Sequence, residues 1–559
     1  MVVLLGGMFW PGLAGPSVLA QSSAPTLRLV SSNQTARVFW SNNGYYYLLQ
    51  STTNLANSKS WGNEASAALP VAEFSQYFPG GSAALATDVI SNELSFAQVK
   101  LPVGKFYRLK TPDFLPLCSF AIFYDGLLEF TFSSTMVVNG VVHANGFIFV
   151  GTSASQTFNS VVSCTGTLSA PYMNGISTGW TPANPATWNV TFNGAPAVIT
   201  NLPPIRLWNA TNNYHTIIDV PPAGENPNTF PGFMRLFNQA QMVLLVTNDV
   251  SGTGNPMVKI ILQVSSNGAL PGNDPTAMFL TYTNAAPAML QTNLPFLSLT
   301  NLTYDQREYK TNLITQIDIG KLAAWITQGN SPVQAKMPTG SGLYPTILFV
   351  ADRRNHTATQ LPVVRLMNGA QLPANNNIGF TVVTPNPIYV WGNYNVQTVS
   401  SAANASAGTS NTAYTVPAAL FCDALTILSS HWTDAASYTT YSLQTQYQAV
   451  DDTINAAIIS GNMPSTDTTG IGFSGGVHNF PRLLENWSGA NLWLNTSLCR
   501  VWTSQMATNQ FRNPFGFNPA PVNPYYNPPT RHFSFDLNFL NPAKIPPGIP
   551  ALTFTTNSP

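Results

Sequence analysis

The string Gly472-Phe473-Ser474-Gly475-Gly476 fits the GxSxG pattern that presents a serine nucleophile at a strained turn, and His478 and Glu485 lie nearby in sequence. That elbow needs a strand before it and a helix after it. Here Ser465 to Gly470 has loop composition, and Pro481 interrupts the region that follows. A glycine-rich connection is the simpler reading, so Ser474 is expected not to act as a nucleophile.

Metal chemistry finds no better support. The six histidines, His143, His215, His356, His431, His478 and His532, include no pair at the i, i+4 spacing of a helical zinc site. His143 stands between strand-like residues and an Asn-Gly turn and reads as a hydrogen-bonded corner residue. Cys118, Cys164, Cys422 and Cys499 are far apart and form no CxxC pair. They could pair in an oxidising compartment, or stay as buried thiols in their apolar surroundings.

A glycosidase needs two carboxylates about 5 to 10 Å apart, and a lyase on a β-solenoid needs a base with Arg, Lys or calcium. Asp423, His431, Asp434 and Arg482 could gather on one face, but only fold analogy suggests it. Asp305, Arg307, Glu308, Asp318, Asp352, Arg353 and Arg354 form the densest charge cluster in the chain. Arg-carboxylate pairs pinning one segment to another are the simpler reading, and a binding groove is the sharper one. The sequence thus assigns no catalytic, cofactor-binding or metal-binding residue.

The rest of the chain explains why charge is scarce. Only 8% of its 559 residues are charged, while 44% are hydrophobic, so polarity is carried by Asn, Thr, Ser and Gln. Those side chains suit strands, turns and stacked ladders. Lys plus Arg equals Asp plus Glu at 22 each, so no net field would attract phosphate backbones, and nucleic acid is not an expected partner. Residues 1–20 run through an apolar stretch to Ser17-Val18-Leu19-Ala20, which reads as a signal peptide cleaved after Ala20, although no Lys or Arg precedes it. After Ala20 no apolar run reaches the roughly 18 residues that span a bilayer.

The elements read as mainly β. Short alternating strands such as Ala36–Trp40, Tyr45–Gln50 and Lys105–Leu109 predict a β-sandwich over 24–111. Gly-punctuated strands from Leu117, with Asn139-Gly140 and Asn145-Gly146 six residues apart, predict the first part of a β-solenoid-like body over 112–200. An inserted α+β subdomain is expected over 201–365, with strands at Met242–Thr247 and Met257–Val264 and a helix from Ile319 to Gln328. The body then resumes over 366–559. A helix is expected where Val450, Ile454, Ala457 and Ile458 share a face before Gly461. The Pro-rich segment from Phe511 reads as a surface strap.

Two resemblances follow from particular strings. Val38-Phe39-Trp40, Tyr47-Leu48-Leu49-Gln50-Ser51, Trp61 and Phe106-Tyr107-Arg108-Leu109 resemble a β-sandwich module that environmental bacteria append to secreted proteins. A second set runs through Phe123-Tyr124-Asp125-Gly126, Val142-His143-Ala144-Asn145-Gly146, Tyr304-Asp305-Gln306-Arg307-Glu308, Ile317 to Leu322, Val350-Ala351-Asp352-Arg353, Val390 to Asn395, Asn479 to Arg482, Glu485 to Gly489, Pro528 to Arg531 and Phe535-Asp536 through Pro547-Gly548. These resemble large secreted bacterial proteins described as type IV pilus-assembly-like. The resemblance implies a location and an architecture but no reaction.

A structural or adhesive role outside the cell is the expected function, with copies of itself or other cell-surface components as the expected partners. The competing class is a polysaccharide-processing or carbohydrate-binding protein, in which Trp180, Trp188, Trp391, Trp487 and Trp493 would line a sugar groove instead of packing.

Overall fold

The computed structural model describes residues 115–554 except 131–134, 151–154, 170–188, 195–196, 208–212, 266–269, 374–377, 439–446, 466–475, 478–479, 510 and 512–525; before 115 it describes only strand backbone. The expected leader over 1–20 and Ser474 with His478 lie outside the described residues.

The protein is mainly β, as its composition requires. The first strands are β1 (Leu27–Ser32), β2 (Thr35–Trp40), β3 (Leu48–Thr52), β4 (Gly62–Asn63), β5 (Ala67–Leu69), β6 (Leu94–Lys100) and β7 (Phe106–Lys110). They form two antiparallel sheets, ordered β1-β2-β6-β5 and β4-β3-β7.

After β8 (Leu115–Pro116) the chain winds as a parallel three-sided coil. Its first rung is β9 (Ile122–Tyr124), β10 (Leu128–Glu129) and β11 (Met136–Val138). The second is β12 (Val142–Ala144), β13 (Ile148–Phe149) and β14 (Gln156–Phe158). The third is β15 (Val162–Cys164), β16 (Leu168–Ser169) and β17 (Val190–Phe192), and β18 (Val198–Ile199) opens a fourth. Ile122 lies beside Val142 and Val142 beside Val162, all fully buried, so each side stacks one apolar column inward. The repeat is therefore 20 residues, the separation of the stacked pair His143 and Ser163, and not the six-residue rhythm read from the two Asn-Gly steps.

Those Asn-Gly steps are the corners of the coil. Asn159 donates to Asn139 Oδ1 and Asn193 to Asn159 Oδ1, each at 2.8 Å, an amide ladder up one edge. At the next corner the backbone of Gly146 passes so close to Gly126 that a Cβ at 146 would lie 2.6 Å from the Gly126 carbonyl carbon. Only glycine fits there.

From β19 (Ile205–Leu207) the chain crosses to the far end and builds back. The strands are β20 (Met242–Thr247), β21 (Met257–Leu262), β22 (Met278–Tyr282), β23 (Leu297–Ser298), β24 (Leu302–Asp305) and β25 (Lys310–Asp318), then the helix Ile319–Thr327. Next come β26 (Ile347–Asp352), β27 (Gln360–Met367), β28 (Phe380–Val383), β29 (Ile388–Trp391), β30 (Ala418–Cys422) and β31 (Leu425–Leu428). The last are β32 (Asp452–Asn455), β33 (Ala457–Gly461), β34 (Pro481–Leu483), β35 (Asn491–Asn495), β36 (Leu498–Trp502), β37 (Thr530–Ser534) and β38 (Ala551–Phe554).

One 12-stranded sheet joins the first coil to the later strands, in the order β18-β15-β12-β9-β36-β33-β30-β28-β26-β20-β21-β22. Its middle is the pairing of β36 with β9, Leu498 beside Ile122 and Cys499 beside Phe123. The two parts of the body thus share a wall, and the segment 201–365, expected as an insert, contributes strands to this sheet and to a second one, β23-β25-β27-β29-β31-β34.

The helix at 319 forms as its periodicity predicts. Asp318 caps it by accepting from Lys321 N at 3.0 Å, and Ile319, Leu322, Trp325 and Ile326 are buried. The helix expected around Val450 to Ile458 is instead β32 and β33. Ile454 ends one strand and Ala457-Ile458 begin the next, so a corner between two inward-facing strands imitates helical spacing.

The tail is a strap in part. Thr381 Oγ1 donates to Pro547 O at 2.7 Å and Leu117 N to Pro550 O at 3.0 Å. Yet β37 extends a parallel ladder on β35, and β38 pairs antiparallel with β8 and β19. Its prolines lie outside those two runs.

Candidate functional site

The charged residues singled out in the sequence turn inward and hold segments together. Arg482 donates to Glu308 and, at 2.5 Å, to Ala507 O, with both side chains buried. Asn509 N donates to the same carboxylate, at 3.2 Å. Asp305 accepts from Arg307 N and Glu308 N, and the buried Tyr389 hydroxyl donates to its other oxygen. Arg354 forks onto Asp352, which also accepts from Thr315 Oγ1 at 2.8 Å, and Asp318 is the helix cap. Of this cluster only Arg353 is exposed.

Asp423, His431, Asp434 and Arg482 each serve a different contact. The Asp423 carboxylate accepts the backbone N–H groups of Gln505, Met506 and Ala507, at 2.5 to 3.1 Å, and so fixes the turn after β36. Asp434 pairs with Arg365, a fully buried guanidinium that lies against the Trp391 ring at 4.7 Å. His431 is exposed. Such bidentate and multiply bonded pairs are how a buried charge is tolerated, since each lone pair must be met.

Two groups that the sequence placed only beside a serine motif or in a list of histidines have unusual proton affinities. Glu485 is buried, and burial pushes its carboxyl up to about 7 despite hydrogen bonds from Ser429 N at 2.5 Å and Ser429 Oγ at 2.7 Å. His215 is also buried. Burial opposes its charge, but the hydrogen bond to Asp219 and the Asp423 carboxylate 3.5 Å from Nε2 outweigh that and lift it to about 9. Neither residue lines the cavity between β11 and β37 described below.

His143 Nε2 donates to Asn145 Oδ1 at 3.1 Å and its Nδ1 lies 2.9 Å from Ser163 Oγ, while the ring stacks on Phe123. It is hydrogen-bonded as expected, but it sits within β12, where burial lowers its proton affinity. The four cysteines are free thiols, all buried. Among the described residues no three His, Cys, Asp or Glu side chains are grouped to hold a metal ion, and no helix is long and apolar enough to cross a membrane.

A sizeable opening among the described residues follows from the way the coil closes. On the wall where β36 meets β9 the ladder is continuous, but on a neighbouring wall β32-β35-β37 and β11-β14-β17 remain separate sheets. A cavity of about 380 Å³ lies at this break, between Met136 and Val137 on one side and His532, Phe533 and Ser534 on the other. Leu494, Leu498 and Val477 line its depth.

At its lip Trp493 and His532, neighbours in the β35–β37 ladder, stack with ring centroids 3.8 Å apart and planes 10° apart. His532 Nε2 is 2.9 Å from Asn491 Oδ1, and Asn491 Nδ2 donates to Asp451. This arrangement can hold a flat or ring-shaped group by stacking and amide hydrogen bonds. It contains no activated nucleophile or carboxylate pair among the described residues. Of the other Trp residues, Trp487 is fully buried in the core and Trp391 covers Arg365, while Trp180 and Trp188 lie outside the described residues.

The chain matches no protein-family model, no curated protein and no solved structure.

Proposed function

We propose that the protein is an extracellular structural or adhesive component of a cell surface. The observation that carries this reading is the use of its scarce charge. Glu308, Asp305, Asp352, Asp423 and Asp434 are each bound to an arginine, a tyrosine or backbone N–H groups that hold the coil together, leaving none of them poised at an opening. An enzyme working on polysaccharide would need such groups free in a cleft. The apolar leader-like segment supports export. The strings that resemble those of pilus-assembly-like secreted proteins support a place beside surface filaments.

The stacked Trp493–His532 pair favours a second reading, in which adhesion works through sugar rings held at the break between β37 and β11. One experiment addresses both. Purified protein is incubated with a panel of polysaccharides while reducing ends and tryptophan fluorescence are recorded. The expected result is no cleavage, and any fluorescence change should disappear in Trp493→Ala. Turnover that releases new reducing ends would overturn the structural reading.

A further inference from the structure

The 12-stranded sheet has two ends, and both are unguarded among the described residues. At one end β18 has β15 as its only strand neighbour, β17 has only β14 and β16 only β13. Burial fades along the columns that reach them. Ile122, Val142 and Val162 are fully buried, but Val198 is half-buried; Leu128 and Ile148 are fully buried, but Leu168 is half-buried; Phe158 is buried, but Phe192, stacked on it, is half-buried. Among the described residues, a last rung that leaves Val, Leu and Phe partly in water shows no polar cap of the kind such repeats need.

At the other end β22 has the sequence Met-Phe-Leu-Thr-Tyr and pairs only with β21. Edge strands are ordinarily protected by lysine, proline or a bulge, and an uncharged strand of high β-propensity is a template for pairing. β22 carries none of these devices, and Phe279 is 58% exposed.

Strand direction decides what each end can accept. From β18 to β26 and on to β20 every step in the sheet is parallel. β21 reverses and β22 reverses again. β22 therefore runs in the same direction as β18. A second copy placed further along the coil axis would offer its β18 to β22 in parallel, the same pairing that builds the body.

We propose that copies of this chain stack head to tail, β22 of one against β18 of the next, so that the sheet continues from molecule to molecule. Such a contact joins two different surfaces and does not close, so it yields linear assemblies. The inference refines the structural reading above, but it is tested on the purified chain. A surface protein that does not stack would fail here and still be found on cells.

The test is disulfide trapping. A Thr281→Cys/Thr200→Cys double variant, oxidised at rising concentration, should give a ladder of dimer, trimer and higher species on a non-reducing gel, because the four native cysteines are buried and do not interfere. Thr281→Cys alone should give none. A dimer from Thr281→Cys alone would show β22 pairing with itself across a two-fold axis and would overturn the proposal, as would a folded double variant that forms no ladder. Phe279→Glu/Thr281→Glu, which changes two exposed positions beside Lys259 of β21, should sediment as single chains and remain folded by circular dichroism. Assembly equal to that of the parent would also refute it.

Discussion

Glu308→Ala should cost about 3–5 kcal/mol of stability, because it leaves the buried Arg482 guanidinium without a counter-charge. Asn509 N loses its acceptor in the same step. The contact ties the loop after β24 to β34 and to the turn after β36, so the loss should spread through the body instead of fraying one edge. The measurement is the denaturant midpoint. Glu308→Met/Arg482→Met should recover most of the loss, since removing both charges removes the desolvation cost along with the attraction. A loss below about 1 kcal/mol in the single variant, the size of an exposed pair, would mean that water reaches Arg482.

Alkaline sensitivity is the second large effect. Glu485 in the folded protein holds its proton up to about 7, above its ordinary 4.5, so its contribution is fully present below 4.5 and is lost as pH rises through 7. The cost of ionising it in place is on the order of 3 kcal/mol by about pH 8. His215 acts in the same direction over a higher window. Its value of about 9 lies above the ordinary 6.5, so the stability it gives is full below 6.5 and is lost as pH rises through 9. At the acid end Asp274, lowered to about 2 by hydrogen bonds from Lys336, Val264 N and Thr276 that outweigh its burial, gives stability that is present above 3.8 and lost as pH falls through 2. The melting temperature should therefore be highest in mild acid. Glu485→Gln can keep both contacts, accepting from Ser429 N and donating to Ser429 Oγ. It should melt like the parent near about pH 5 and higher than the parent near about pH 8. Parallel curves would show that Glu485 is ionised in the folded state.

Strand positions were legible because each needs only local apolar residues and turn signals. Met242–Thr247 and Met257–Leu262 appear where expected, and Leu322, Trp325 and Ile326 mark their helix. The 20-residue repeat was also written in the sequence, in Gly126, Gly146 and Gly166 and in Asn139 and Asn159, but two closely spaced Asn-Gly steps drew attention to a false period. The helix expected near Ile454 failed for a related reason, since a corner between strands spaces apolar residues by four. What could not be read locally is the closure of β36 on β9, which joins residues more than 370 positions apart, as the bond from Ser497 Oγ to Phe120 O shows with a separation of 377. The cavity exists only because that closure is continuous on one wall and broken on the next. Its stacked pair, Trp493 and His532, likewise meets through ladder register and no local motif.

The central claim, that this is a structural component of the cell surface, is tested most directly by immunogold electron microscopy of intact cells that express the protein from its own gene. The account predicts gold on the outer face, grouped in rows or patches that persist after washing. Gold confined to the cell interior, or label that washes away as dispersed single molecules, would contradict it.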